Sequence, residues 1–211
     1  MNKIAIKITC LAIIATSLAM FACSDKTEDE TEVGLINGHE YVDLGLSVKW
    51  ATCNVGATSA TDTGHYYAWG ELETKSDYTD ANCTTFGKQM GDISANPLVD
   101  VANAKWGGPW RMPTKTEFEE LINNCSWKWM KNGNTYGYLI TGVNENTIFL
   151  PAGGWKTGTS TLRVDENGYY WTSTPDEEDV ERSFYLNFMT GDRNISCYRR
   201  YDGMQIRPVA E

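Results

Sequence analysis

Residues Trp106 to Trp129 read WGGPWRMPTKTEFEELINNCSWKW, and this stretch sets the fold class. Thr114-Lys115-Thr116-Glu117 has the form of a capping box, in which the threonine hydroxyl accepts from the amide three residues on and the glutamate reaches back. Phe118, Leu121, Ile122 and Cys125 follow at i, i+3, i+4 and i+7, one apolar stripe, which predicts a helix ending near Asn124. Just upstream, Trp106-Gly107-Gly108-Pro109-Trp110 sets two large rings beside residues that permit close backbone approach, a core-and-turn pattern in which Arg111 is expected to satisfy buried carbonyls. A shorter helix is expected before it, capped by Asn96 with Pro97 in the first position. Leu98, Val101 and Ala102 would share its inner face and Gly107 would stop it.

Outward from these helices the chain turns to strands. Trp127 to Met130 and Tyr136 to Thr141 flank Asn132-Gly133. Thr147 to Leu150 precedes Pro151-Ala152-Gly153-Gly154, and Tyr169 to Ser173, Ser183 to Phe188 and Gln205 to Val209 complete the set. Toward the N-terminus, Asn37-Gly38 between two short apolar runs is a two-residue hairpin signal, and Val48, Trp50 and Thr52 alternate as a strand does. Asp77 to Asn96 is polar and reads as a long surface excursion. The predicted class is α+β, with two short helices, short mostly antiparallel sheets and long loops.

The 211 residues are 41% hydrophobic and 22% charged, globular values that fit one domain of the usual size of about 150 residues with an appendage. A net charge of −10 argues against binding to a nucleic-acid backbone. The appendage is N-terminal. Lys3 and Lys7 precede an uncharged run from Ile8 to Ala22, too short at about 15 residues for the roughly 20 of a spanning helix, and the pattern reads as a signal peptide over residues 1–22. The end of the run, through Ala22-Cys23, resembles a bacterial lipobox, which implies lipidation of Cys23 and attachment to a membrane through that anchor. Residues 23–33 carry Asp25, Glu28, Asp29, Glu30 and Glu32 against Lys26 and read as a solvated acidic tether. The remainder, 34–211, is the folded domain. Its Cys53, Cys83, Cys125 and Cys197 allow three disulfide pairings, among which the sequence does not choose.

Several strings in this domain carry a resemblance. Glu40 to Gly56 reads EYVDLGLSVKWATCNVG, Tyr66 to Glu71 YYAWGE, Thr147 to Trp155 TIFLPAGGW, Gly168 to Thr174 GYYWTST and Ile206 to Val209 IRPV. Together with the opening string, and in this order, they resemble the Fibrobacter succinogenes major paralogous domain, abundant in Bacteroidetes. That family is similar to the C-type-lectin-like and formylglycine-generating-enzyme folds. The resemblance implies a compact C-type-lectin-like domain with neighbouring termini and a displayed C-terminal surface. Acidic stretches directly after a lipidated cysteine likewise resemble the surface-export signals of Bacteroidetes lipoproteins, which implies the outer membrane with the domain facing the cell exterior.

Enzymatic signals are missing. There is no Gly-x-Ser-x-Gly elbow, no phosphate-binding glycine loop and no Cys-x-x-Cys. The enzymes that resemble this fold need either two cysteines close together near the C-terminus, where only Cys197 stands, or three histidines, where the chain has His39 and His65 alone. Acidic turns at Asp165 to Gly168 and Asp176 to Asp179 offer oxygen ligands without a regular calcium spacing. No cofactor or metal is expected, and the chain reads as no enzyme.

A non-enzymatic binding module that takes a glycan or a surface protein is therefore expected. The alternative is a structural or adhesin component of the envelope without a soluble ligand. The C-terminal segment mixes arginine, tyrosine and asparagine as a paratope does. Ser183 to Phe188 and Ile195 to Arg199 are expected to pair, joined across Met189 to Asn194 with Thr190-Gly191-Asp192 at the turn. Phe184, Leu186 and Phe188 would face the core, while Ser183, Tyr185 and Asn187 form the other face, expected to be exposed together with Arg193, Asn194, Tyr198 and Tyr201 from the turn and return. The expected ligand-binding residues are Arg182, Tyr185, Asn187, Arg193, Asn194, Tyr198, Arg199 and Tyr201.

Overall fold

A computed structural model describes residues 31–211; the leader and Cys23 lie outside the described residues, as does most of the tether. Among the described residues no helix is long and apolar enough to cross a membrane. The N-terminal hairpin forms as its Asn-Gly signal predicts. Strands β1 (Val33–Ile36) and β2 (His39–Val42) turn through Asn37 and Gly38, both at positive φ (47° and 82°), the requirement of a type I′ turn. β2 pairs with β3 (Lys49–Ala51), and β3 with the last strand of the chain, so both ends of the domain share one antiparallel sheet.

Helix α1 (Val101–Trp106) begins later than Asn96 and Pro97 suggested, because Asp100 is the better cap. Its carboxylate is fully buried and accepts from the amides of Asn103 (3.1 Å), Ala95 (2.9 Å) and Met112 (2.9 Å). Asn96 instead caps a preceding turn, and Leu98, expected on the core face, stands 79% exposed. Gly107 ends the helix at φ 66° as predicted. Helix α2 (Lys115–Asn124) has the full capping box, with Phe118 and Leu121 buried. Arg111 corrects the expectation of buried carbonyls, since its main partner is a carboxylate. Its guanidinium grips Glu117 through both oxygens (2.9 and 2.6 Å) and ties the cap of α2 to the tryptophan turn. Burial alone would raise the Glu117 carboxyl; Arg111 and the cap groups outweigh it and hold the group below its ordinary value.

A second sheet runs β4 (Ser126–Asn132), β5 (Thr135–Thr141) and β6 (Thr147–Pro151), all antiparallel. Its first turn is Gly133-Asn134, one residue later than read from sequence, with Gly133 at φ 59°. Strands β7 (Trp155–Thr157) and β8 (Ser160–Leu162) form a small ribbon. Strands β9 (Asn167–Pro175), β10 (Arg182–Met189) and β11 (Asp192–Arg199) form a third sheet in the order β11-β10-β9, which leaves β11 at an edge. The final strand β12 (Val209–Ala210) is shorter than the predicted Gln205 to Val209. Arg207 and its neighbours are buried but bond through isolated contacts instead of a ladder, such as the Ala51 amide on the Pro208 carbonyl at 2.9 Å. The class is α+β, dominated by short antiparallel sheets with two helices.

Two separate cores hold the domain, and the strands run between them. Tyr170, Leu186, Phe188 and Val209 belong to one. Their chain neighbours Trp171, Tyr185 and Ala210 belong to the other. All four cysteines of the domain are free thiols in this structure, Cys125 buried and the rest half-buried.

Candidate functional site

Strands β10 and β11 pair as predicted, but the ladder runs on to Met189 opposite Asp192, so the connection is only Thr190-Gly191; Tyr185 stands opposite Ser196 and Asn187 opposite Asn194. Alternation places Ser183, Tyr185, Asn187, Asn194, Ser196 and Tyr198 on one face and Arg182, Phe184, Leu186, Phe188, Arg193, Ile195, Cys197 and Arg199 on the other. The expected division into core and solvent faces fails. Leu186 and Phe188 are buried as predicted, but Tyr185 is only 8% exposed, Ser183 is fully buried and Phe184 is half-buried under the Lys115 ammonium (4.2 Å). Because each face of this sheet meets its own core, neither strand face is open along its whole length.

The predicted site residues therefore separate. Tyr185 and Tyr198 stay together, with ring centroids 6.1 Å apart, and Asn187 and the exposed Asn194 lie on their face. Arg193 is on the opposite face, half-buried with its guanidinium over the Trp127 ring (5.3 Å). Arg182 and Arg199 are exposed on that opposite face too, one paired with Asp179 (3.1 Å), the other donating to the Tyr201 hydroxyl (2.7 Å). Tyr201 packs edge-on to Phe86 at 5.3 Å.

The concave feature beside Tyr185 and Tyr198 is an aromatic cleft of about 600 Å³, within the usual range for small-molecule sites. Two ring pairs line it: Trp129 with Tyr136 (6.3 Å, near-parallel) and Trp155 with Tyr169 (4.7 Å). Its polar rim is the loop Arg163 to Asn167 with Thr190 from the hairpin turn. This loop turns through positive φ at Arg163 (60°) and Asp165 (62°); aspartate adopts that conformation more readily than most residues, but arginine seldom does. Anchoring explains how it persists. The Asp165 amide donates to the Ala152 carbonyl (2.7 Å), and the Asp165 carboxylate accepts from the Tyr136 amide (3.0 Å). Strain of this kind gathers at ligand clamps. A smaller pocket of about 130 Å³ adjoins, lined by Trp155, Tyr169, Tyr185, Tyr198 and Met204, so Trp155 and Tyr169 serve both spaces.

The chemistry of the cleft is contact and hydrogen bonding. Arg163 is paired with Glu166 at 2.7 Å, and the Asp165 carboxylate, which among the described residues accepts only from the Tyr136 amide, leaves the rim with a net charge of −1. Burial pushes the Tyr169 phenol up to about 12, with the neighbouring Tyr185 adding and Arg163 subtracting, so it remains a neutral hydroxyl near pH 7. Trp155 Nε1 and Asn187 Oδ1 are buried without a hydrogen-bond partner, and such orphans cost about 1–3 kcal/mol each.

Sequence reasoning missed Trp129, Tyr136, Trp155 and Tyr169 as site residues and took the Asp165 turn only as possible cation ligands. Their strings were visible, but nothing in strand periodicity says that rings from four strands converge. No family model, no curated protein and no solved structure matches this chain.

Proposed function

We propose that the chain is a non-enzymatic binding module with a C-type-lectin-like fold, a relative of the Fibrobacter succinogenes major paralogous domain. It is held at the outer membrane by lipid on Cys23 and presents its domain to the cell exterior, where it binds a glycan or a surface protein. The observation that carries this reading is the aromatic cleft, with two ring pairs below a polar rim on an anchored loop that holds Arg163 at positive φ. Flat rings supply contact area at low entropy cost, and the rim supplies adaptable hydrogen bonds. The contact surface thus shifts from the arginines of the hairpin to Trp129, Tyr136, Trp155 and Tyr169, with Tyr198 and Asn194 at its border.

The test is a screen of the full chain, in a detergent without sugar headgroups, against glycans and surface proteins, repeated with Tyr136→Ala. Tyr136 is 39% exposed, so its truncation leaves the core intact. A ligand whose affinity drops by about 1–2 kcal/mol in the variant supports the reading. A ligand indifferent to Tyr136→Ala, or none across the screen, overturns it.

A further inference from the structure

The smaller pocket has a chemistry of its own. Four rings from four different strands close around it: Trp155 of β7, Tyr169 of β9, Tyr185 of β10 and Tyr198 of β11, with Met204 as the fifth lining residue. Successive centroids lie 4.7, 5.8 and 6.1 Å apart, and their planes alternate between tilted, near-parallel and edge-on. No charged side chain lines it, and at about 130 Å³ it admits a compact group, not a sugar ring with its hydroxyl shell.

The distribution of cations sharpens this. Elsewhere in the domain the chain covers its aromatic faces with its own lysines and arginines: Lys115 over Phe184 (4.2 Å), Arg200 over Trp69 (4.4 Å), Lys131 over Tyr136 (5.4 Å). Among the described residues no lysine or arginine lies over any of the four box rings. Arg199, next to Tyr198 in the chain, is turned to Tyr201 instead. The chain as a whole carries a net charge of −10, which favours a cationic guest over an anionic one.

We propose that this box binds a small quaternary ammonium group, which needs no hydrogen-bond partner and is held by the electron-rich ring faces. The claim does not depend on what fills the larger cleft. It is read with no glycan or protein present, so either idea can fail while the other stands.

The experiment titrates the full chain, in a polyoxyethylene detergent, with choline, phosphocholine and Nε-trimethyllysine, followed by calorimetry and tryptophan fluorescence. The decisive comparison is 3,3-dimethylbutan-1-ol, the uncharged carbon isostere of choline. At least one ammonium compound is expected to saturate, and the one that binds most tightly identifies the source. The isostere is expected to bind about tenfold more weakly or less. Tyr198→Ala, at a ring already 38% exposed, should weaken the ammonium about tenfold without moving the thermal midpoint, and Tyr198→Phe should restore it. Equal affinity for the neutral isostere overturns the proposal, as does the lack of saturation by any of the three, or indifference to Tyr198→Ala.

Discussion

Gly168 and Phe188 face each other across β9 and β10 beneath the cleft, and the geometry makes them a matched pair. A Cβ built on Gly168 would lie 2.0 Å from the tip of the Phe188 ring and 2.4 Å from both flanking carbons, against an ordinary carbon contact of about 3.5–4.0 Å. The ring cannot retreat. It is fully buried, with the rings of Tyr138, Tyr170, Trp127 and Trp129 at 5.4, 5.8, 6.1 and 6.4 Å. Gly168→Ala should therefore cost the upper part of the overpacking range, about 2–3 kcal/mol. Phe188→Ala should cost about 3–5 kcal/mol through lost burial and a cavity. In the double variant the new methyl enters the vacated space, so the total should fall short of the sum by about 1–3 kcal/mol. Guanidinium denaturation of the four proteins measures this, as shifts in midpoint at constant slope. Costs that add to within about 0.5 kcal/mol, or a neutral Gly168→Ala, would refute the argument that the ring fills the space above the glycine.

Two further outcomes follow from buried charges. Arg207 is fully buried and donates to Asn54 Oδ1 (2.8 Å), the Ala51 carbonyl (2.8 Å) and the Phe149 carbonyl (2.9 Å). Arg207→Ala orphans all three acceptors and should cost about 4 kcal/mol or more in a denaturant melt, with a loss below about 1 kcal/mol counting against it. Asp202 is 1% exposed, and burial, offset in part by Thr157 and Arg199, pushes its carboxyl up from 3.8 to about 6. A raised acid means that the folded state keeps a proton the unfolded state has lost. The group's contribution is therefore fully present below pH 4 and is lost as pH rises through about 6. Asp202→Asn should remove up to about 3 kcal/mol of stability change between those limits, and an unchanged pH slope would exclude the assignment.

Local signals predicted local structure well. The Thr114–Glu117 box and the Asn37-Gly38 turn each name a backbone conformation through a hydrogen bond or a positive φ, and both appear where the residues place them. Errors arose where two local signals competed and a distant contact decided. Asn96-Pro97 is a good helix start in isolation. Asp100 displaced it because one carboxylate serves the helix amide of Asn103 and also the amides of Ala95 and Met112. Arg111 was placed beside the correct turn but given the wrong partner, because its carboxylate comes from the cap of the next helix.

The site was less legible, and the reason lies in the sheet. Alternation along Ser183 to Phe188 gave the two faces correctly, but it cannot say whether a second layer covers the face that carries tyrosine and asparagine. The informative signal was one strand away, in Tyr169-Tyr170-Trp171, three consecutive rings that leave no polar side along that stretch of β9. Since β10 lies against β9 with Tyr185 opposite Trp171 and Asn187 opposite Tyr169, the cover over β9 extends to Tyr185. It gives out at the edge strand, where Tyr198 is 38% exposed. Rings that begin in a core and end at a sheet edge pass from full burial to open water within a single strand spacing. A pocket lined by four of them forms at that step, where the second core stops short of β11.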